Sequence, residues 1–123
     1  MERDVFSIKE TRLSYGRGYA YSLQYHLVWC TKYRKKVDHI HLLVDCRPQF
    51  FISDMIKIMK GNLARQMFLA HPELKQELWG GHLWNPSYCA VTVSDRSREQ
   101  VLAYIESQKE NESSRKRKSK REN

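Results

Sequence analysis

His39 and His41 are the residues of this chain best suited to hold a divalent cation together. Successive side chains of a β-strand point to opposite faces, so two residues that are two apart project side by side, and here Ile40 anchors the strand beneath them. The competing reading of the pair is an ordinary polar strand face. Tyr104 and Gln108 stand four apart, which on a helix brings a phenol and an amide oxygen toward one point. A tyrosine so placed serves equally well as a half-buried core residue. Cys30, His39, His41 and Cys46 carry atoms suited to tetrahedral zinc, but their spacing matches neither a knuckle nor a ribbon. Lys32, Arg34, Lys35 and Lys36 put four positive charges within five positions, which suits either a solvated turn or contacts to phosphates.

The elements that must position these groups follow from hydrophobic period. No pattern marks the first dozen residues. From Tyr19 to Cys30 two sets of residues alternate with a period of two, which predicts one strand. A second strand reads from His39 to Val44, with Ile40, Leu42 and Val44 on one face and His39, His41 and Leu43 on the other. Ser53 is the expected N-cap of a helix in which Ile52, Ile56, Met59, Leu63 and Met67 form a core stripe. Pro72 can start a short helical piece through Leu78, after which Gly80, Gly81 and Pro86 interrupt regular structure. Trp79 and Trp84 flank that break and serve either to stack on bases or, the favoured reading, to hold the break together. A third strand is expected from Tyr88 to Val93, and a last helix from Ser97, with Gln100 completing a capping box. His26 and His71 read as surface or satisfied polar residues.

Composition limits the functions available. The length of 123 residues is that of one domain. No stretch approaches the ~18 consecutive apolar residues a membrane span needs. The first residues lack the basic and apolar regions of a secretion signal, so a cytoplasmic protein is expected, and three cysteines without framework spacing predict free thiols. A net charge of +8 points to nucleic acid. Half of that excess lies in residues 109–123, where seven bases meet three acids and no apolar residue occurs; this composition predicts a disordered tail, either merely solvated or an auxiliary nucleic-acid arm.

Five blocks fall in a recognisable order: Tyr21-Ser22-Leu23-Gln24-Tyr25-His26-Leu27-Val28-Trp29, Thr31-Lys32-Tyr33-Arg34, Asp38-His39-Ile40-His41-Leu42-Leu43-Val44, Leu78-Trp79-Gly80-Gly81-His82-Leu83-Trp84 and Tyr104-Ile105-Glu106-Ser107-Gln108. Together, over residues 13–108, they resemble the small HUH single-tyrosine transposases of bacterial insertion sequences, the two-hundred-like class. The resemblance implies an α+β fold, a ferredoxin-like (RRM-like) antiparallel sheet with helices on one face. It divides the chain into an N-terminal extension (1–18), a transposase-like domain (19–108) and the tail. It also implies cleavage and rejoining of single-stranded DNA beside hairpins at the element's ends, by a homodimer in which the tyrosine helix of one subunit completes the other's site, with nucleoid association when DNA is bound. Carried over by position, His39 and His41 match the metal-binding pair, Gln108 the third ligand and Tyr104 the nucleophile that forms a 5′-phosphotyrosine. The family points to Mg²⁺ or Mn²⁺, although ligand type alone leaves zinc open.

One departure stands out. The family carries some forty residues, a helix and a strand, between the Tyr-Arg block and the histidine strand, whereas here Val37 abuts Asp38. Were the two flanking strands parallel, as a ferredoxin-like arrangement is expected to place them, their connection would need a dozen or more residues. Residues 32–38 offer seven, at most ~25 Å when fully extended. Two outcomes remain: an antiparallel hairpin turning near Arg34 to Lys36, or a chain that does not fold alone. Either would leave one sheet face without its helix, exposing Ile40 and Leu42 or pairing them with another subunit. Internal deletion thus adds a non-catalytic nucleic-acid binder and a non-functional remnant as alternatives to an active enzyme.

Overall fold

A run of four apolar residues, Leu27 to Cys30, organises the molecule. The computed structural model describes residues 5–7, 12–31, 38–74 and 82–122, with side chains described as far as residue 111. A 3₁₀ turn at Val5–Ser7 precedes a small hairpin of β1 (Ser14–Gly16) and β2 (Tyr19–Tyr21), whose turn uses Gly18 at a positive φ of 86°. Then come β3 (Gln24–Cys30), β4 (His39–Asp45), α1 (Ile52–Ala70), β5 (Cys89–Thr92) and α2 (Ser97–Glu122). The expected single strand over residues 19–30 is therefore two. Ser22 and Leu23 leave the ladder, and β2 turns to pair with β1 while β3 pairs elsewhere.

The main sheet has the order β4-β3-β5 and every pairing is antiparallel. Between β3 and β4 the outcome is the antiparallel one, with Cys30 opposite His39 and Gln24 opposite Asp45. Thr31 closes the open end: its backbone N–H donates to the Asp38 carbonyl at 2.7 Å, and the Asp38 N–H donates to the Thr31 hydroxyl at 3.2 Å. A short link suffices because an antiparallel partner needs only a turn. The connecting residues 32–37, which include Lys32, Arg34, Lys35 and Lys36, lie outside the described residues.

Cross-strand neighbours share a face, and this sheet buries both. On one, Leu27 and Trp29 of β3 meet Ile56 of α1, with Tyr25, Ile40, Leu42, Val44, Ile52, Met59, Leu63 and Trp84 packed around them. Ile40 and Leu42 are thus covered by α1. On the other face Val28 meets Val101 and Ile105 of α2, with Phe6, Cys89, Val91 and Tyr104 at the margin. The α+β class and the antiparallel sheet are as expected, but the two helices lie on opposite faces. The cause is in β3, where Leu27, Val28, Trp29 and Cys30 are all fully buried, so each face of the strand needs its own cover.

Three local expectations change. Helix α1 starts at Ile52 with Phe51 as N-cap and no side-chain cap hydrogen bond, because Ile52 is drawn into the core and Ser53 falls inside the first turn. Met67 is 40% exposed and leaves the core stripe. Ser97 does open α2, but its hydroxyl donates to the Thr92 carbonyl and accepts from the Ser94 N–H, so it ties the helix to β5 in place of a capping box. Beyond Lys109 the backbone stays helical to Glu122 where disorder was expected. No Gly or Pro interrupts residues 97–122, and the packed first turns supply the nucleus from which the helix extends. The piece expected from Pro72 to Leu78 falls mostly outside the described residues.

Candidate functional site

β4 places both imidazoles of His39 and His41 on the face that α2 covers, because these residues pair with Cys30 and Val28 of β3. His39 is exposed and His41 half-buried. A third histidine joins them. His26, fully buried in β3, approaches His41 with Nδ1 and Nε2 2.9 Å apart. Phe6 lies against both rings, at 5.1 Å from His26 and 5.0 Å from His41, and the Arg98 guanidinium sits 4.9 Å from the centre of the Phe6 ring. One nitrogen of the His26–His41 contact must donate and the other accept, so the contact excludes two fully protonated rings. Burial lowers the pKa of both, and for His41 the charges of His26 and His39 lower it further. His26 Nε2 has no hydrogen-bond partner among the described residues. His26 is thus a member of the site and neither a surface residue nor a fully satisfied one; its signal in the sequence was its place on the same strand face as Val28 and Cys30.

Tyr104 projects from α2 onto this face, half-buried against the cluster of Val28, Val101 and Ile105. Its phenolic oxygen is hydrogen-bonded to the Ser87 hydroxyl. Burial pushes the phenol pKa up, an effect the Ser87 hydrogen bond opposes and the Cys30 and Cys89 thiols reinforce. Ser87 follows Asn85, whose N–H donates to the Cys30 carbonyl, and Cys30 is paired with His39, so the hydrogen-bonded phenol lies toward the same end of the sheet as the exposed imidazole. Gln108, one turn beyond Tyr104, is half-buried. No hydrogen bond joins Tyr104 or Gln108 to His39 or His41 among the described residues; α2 packs on β3 and β5, whereas the histidines stand on β4 across the central strand.

The zinc alternative fails. Cys30 and His39 lie at one end of the sheet, whereas Cys46, whose N–H donates to the Leu23 carbonyl, lies at the other. Among the described residues no group of three or more His, Cys, Asp or Glu can hold a metal. Trp84 is structural: its indole N–H donates to the Lys60 carbonyl at 2.9 Å and its ring meets Trp29 edge-on, while Trp79 is outside the described residues. His82 is exposed. Cys30, Cys46 and Cys89 are free thiols.

The family profile described as "Transposase IS200 like" matches residues 37–108, more than half the chain and the whole span from β4 to Gln108. The chain belongs to the IS200-like transposase family. This transposase is 42% identical to the ISDra2 transposase TnpA of Deinococcus radiodurans over 139 aligned positions, which cover 88% of this chain and 99% of that protein. The alignment is longer than the 123 residues available here, so the relative has residues within the matched region that this transposase lacks. A 1.90 Å crystal structure of a candidate transposase from Deinococcus radiodurans R1 superposes with a TM-score of 0.69 at 42% identity, covering 77% of this chain and 97% of that one. Among the described residues of this transposase no helix is long and apolar enough to cross a membrane.

Proposed function

We propose that this transposase cuts and rejoins single-stranded DNA at hairpin-bearing element ends through a 5′-phosphotyrosine on Tyr104. The observation that carries the reading is that Tyr104 and the His39–His41 pair share one face of a three-stranded sheet, the phenol held by Ser87 near the Cys30–His39 end. The Tyr104 oxygen attacks the phosphorus, the bond from phosphorus to the 3′-side oxygen breaks, the phenol gives up its proton and the departing oxygen gains one as a 3′-hydroxyl. A 3′-hydroxyl attacking the phosphotyrosine reverses each change, so the strand is rejoined without an external energy source. A phenol whose pKa is raised by burial is protonated at neutral pH, which makes loss of that proton part of the barrier.

His39 and His41 fit a divalent cation in donor type, since they stand side by side on one strand face and His39 is open to solvent, with Nδ1 the ring nitrogen of His41 not engaged by His26. His39, His41 and the Gln108 amide oxygen would hold Mg²⁺ or Mn²⁺, which would supply positive charge to polarise a phosphodiester. The separation of α2 from β4 within one chain supports a homodimer in which the partner subunit supplies the tyrosine helix. Lys32, Arg34, Lys35 and Lys36, which precede His39 in the sequence, suit backbone phosphates by charge.

A second reading, a nucleic-acid binder or remnant that does not cut, is favoured by the aligned residues that this chain lacks, which we place at the junction of Val37 and Asp38. Incubating the protein with a labelled hairpin oligonucleotide and Mn²⁺ separates the two. A covalent adduct that survives denaturing electrophoresis and disappears in Tyr104→Phe supports cleavage. Salt-sensitive binding with no adduct supports the binder. Mixing His39→Ala with Tyr104→Phe chains tests the shared site, because adduct formation returns only if helix and histidines come from different subunits.

A further inference from the structure

The segment between Trp84 and β5 makes more contacts than a simple connection needs. It begins beside the end of β3, where Trp84 forms an isolated bridge with Thr31 and the Asn85 N–H donates to the Cys30 carbonyl at 2.9 Å. Lys60 reaches it from α1, the helix on the opposite face of the sheet. Its ammonium donates to the Asn85 carbonyl at 2.9 Å and to the Ser87 carbonyl at 3.0 Å, so two of its three protons are committed to residues flanking Pro86. The Trp84 indole answers by donating to the Lys60 carbonyl at 2.9 Å and by packing edge-on against Trp29. Ser87 is therefore fixed through its own carbonyl, through Pro86 before it and through the paired strand that starts at Cys89. Its hydroxyl is the group that meets the Tyr104 phenol.

We infer that Ser87 is a positioning residue for Tyr104, braced from the far side of the sheet by Lys60. This inference rests on the nucleophile assignment above. A tyrosine ring turns about two bonds, and packing against the cluster of Val28, Val101 and Ile105 constrains the ring without setting where its oxygen points. The Ser87 hydroxyl sets that direction. Lys60 is suited to the brace because its charge strengthens both hydrogen bonds to carbonyls, and partial burial shields them from competing water. Ser107, whose hydroxyl donates to the Tyr104 carbonyl at 2.7 Å, holds the backbone at the other end of the residue. An offset of one ångström in a reacting atom can cost about a hundredfold in rate, so a residue that aims the phenol without touching DNA affects turnover.

The test uses the full chain with ¹³Cζ-labelled tyrosine, the Tyr104 resonance being assigned by its absence in Tyr104→Phe. In Ser87→Ala the Tyr104 signal shifts and the rate of adduct formation on the hairpin oligonucleotide falls roughly three- to tenfold, the equivalent of one hydrogen bond, with oligonucleotide affinity unchanged. Ser87→Thr keeps a hydroxyl and restores both the signal and the rate. Lys60→Met shifts the same resonance in the same direction although it lies on the other face. If Ser87→Ala leaves both resonance and rate unaltered, the positioning role is overturned and the nucleophile assignment stands. If an adduct persists in Tyr104→Phe, the nucleophile assignment itself fails, and the role of Ser87 in the reaction fails with it.

Discussion

The two faces of the central sheet are built from one strand, and they differ in what they tolerate. Toward α1, β3 presents Tyr25, Leu27 and Trp29 to a continuous apolar cluster around Ile56, in which Ile40, Leu42 and Val44 continue the same surface on β4. Toward α2 the same strand presents His26, Val28 and Cys30, and its neighbours are His39, His41, Cys89 and Tyr104. The first face is largely apolar, though the Trp29 indole N–H is buried there without a hydrogen-bond partner among the described residues. The second buries an imidazole with an unpartnered nitrogen and a phenol held by one hydroxyl. Polar groups buried in this way cost stability, so the apolar face must offset the chemical one. The Trp84–Lys60–Ser87 brace connects them.

The sharpest way to break this contrast is to change one residue on each side. Tyr104→Phe removes the phenolic oxygen and is expected to abolish the covalent DNA adduct while altering the unfolding midpoint by no more than the ~1 kcal/mol of one hydrogen bond. Trp29→Ala is its mirror image. It empties a fully buried indole from the α1 face and should cost about 3–5 kcal/mol, a large share of a typical domain's stability, as read from urea unfolding. A smaller deletion sharpens the comparison: Ile56→Val removes one buried methylene and should cost about 0.5–1.5 kcal/mol with the rate of adduct formation per folded molecule unchanged. An Ile56→Val protein that folds normally but has lost the adduct would show that the faces are not separable in this way.

Much of this division was legible in the residues, and the exceptions have physical causes. The alternation in β3 and β4, the stripe of α1 up to Leu63 and the shared face of His39 and His41 follow from local period, while the start of α2 at Ser97 was read from a capping box whose place a tie to β5 takes. The antiparallel hairpin was one of two outcomes left by the shortness of residues 32–38: counting chain length removed the parallel crossover but did not choose between them. Burial on both sides was written in Leu27 to Cys30, an uninterrupted apolar run, but the alternation on either side of it directs attention to one face. The break at Ser22 and Leu23 leaves no mark in the period. It exists because β2 finds a partner in β1, among residues whose own pattern is silent. His26 and Ser87 were missed for a related reason. Their importance lies in what stands opposite, His41 fifteen residues away and Tyr104 seventeen residues away, and pairing across that distance is set by tertiary register.

The smallest expected effect separates the faces by pH. His26 and His41 have pKa values lowered in the folded state from the ordinary 6.5, by burial and, for His41, by the neighbouring His26 and exposed His39. Between those lowered values and 6.5 the unfolded chain binds more protons than the folded one, so acidification through this window favours unfolding and stability rises as pH returns toward 7. Below both folded values the two states are equally protonated at these sites and their contribution levels off. The urea midpoint should therefore fall on acidification from pH 7 into this window, and His26→Gln should flatten that dependence by removing one of the two imidazoles. Ile56→Val should shift the whole curve downward without changing its slope, because the groups around Ile56 do not titrate in this range. Equal slopes in the wild type and His26→Gln would place the pH sensitivity elsewhere in the molecule and remove the distinction between a titrating face and an inert one.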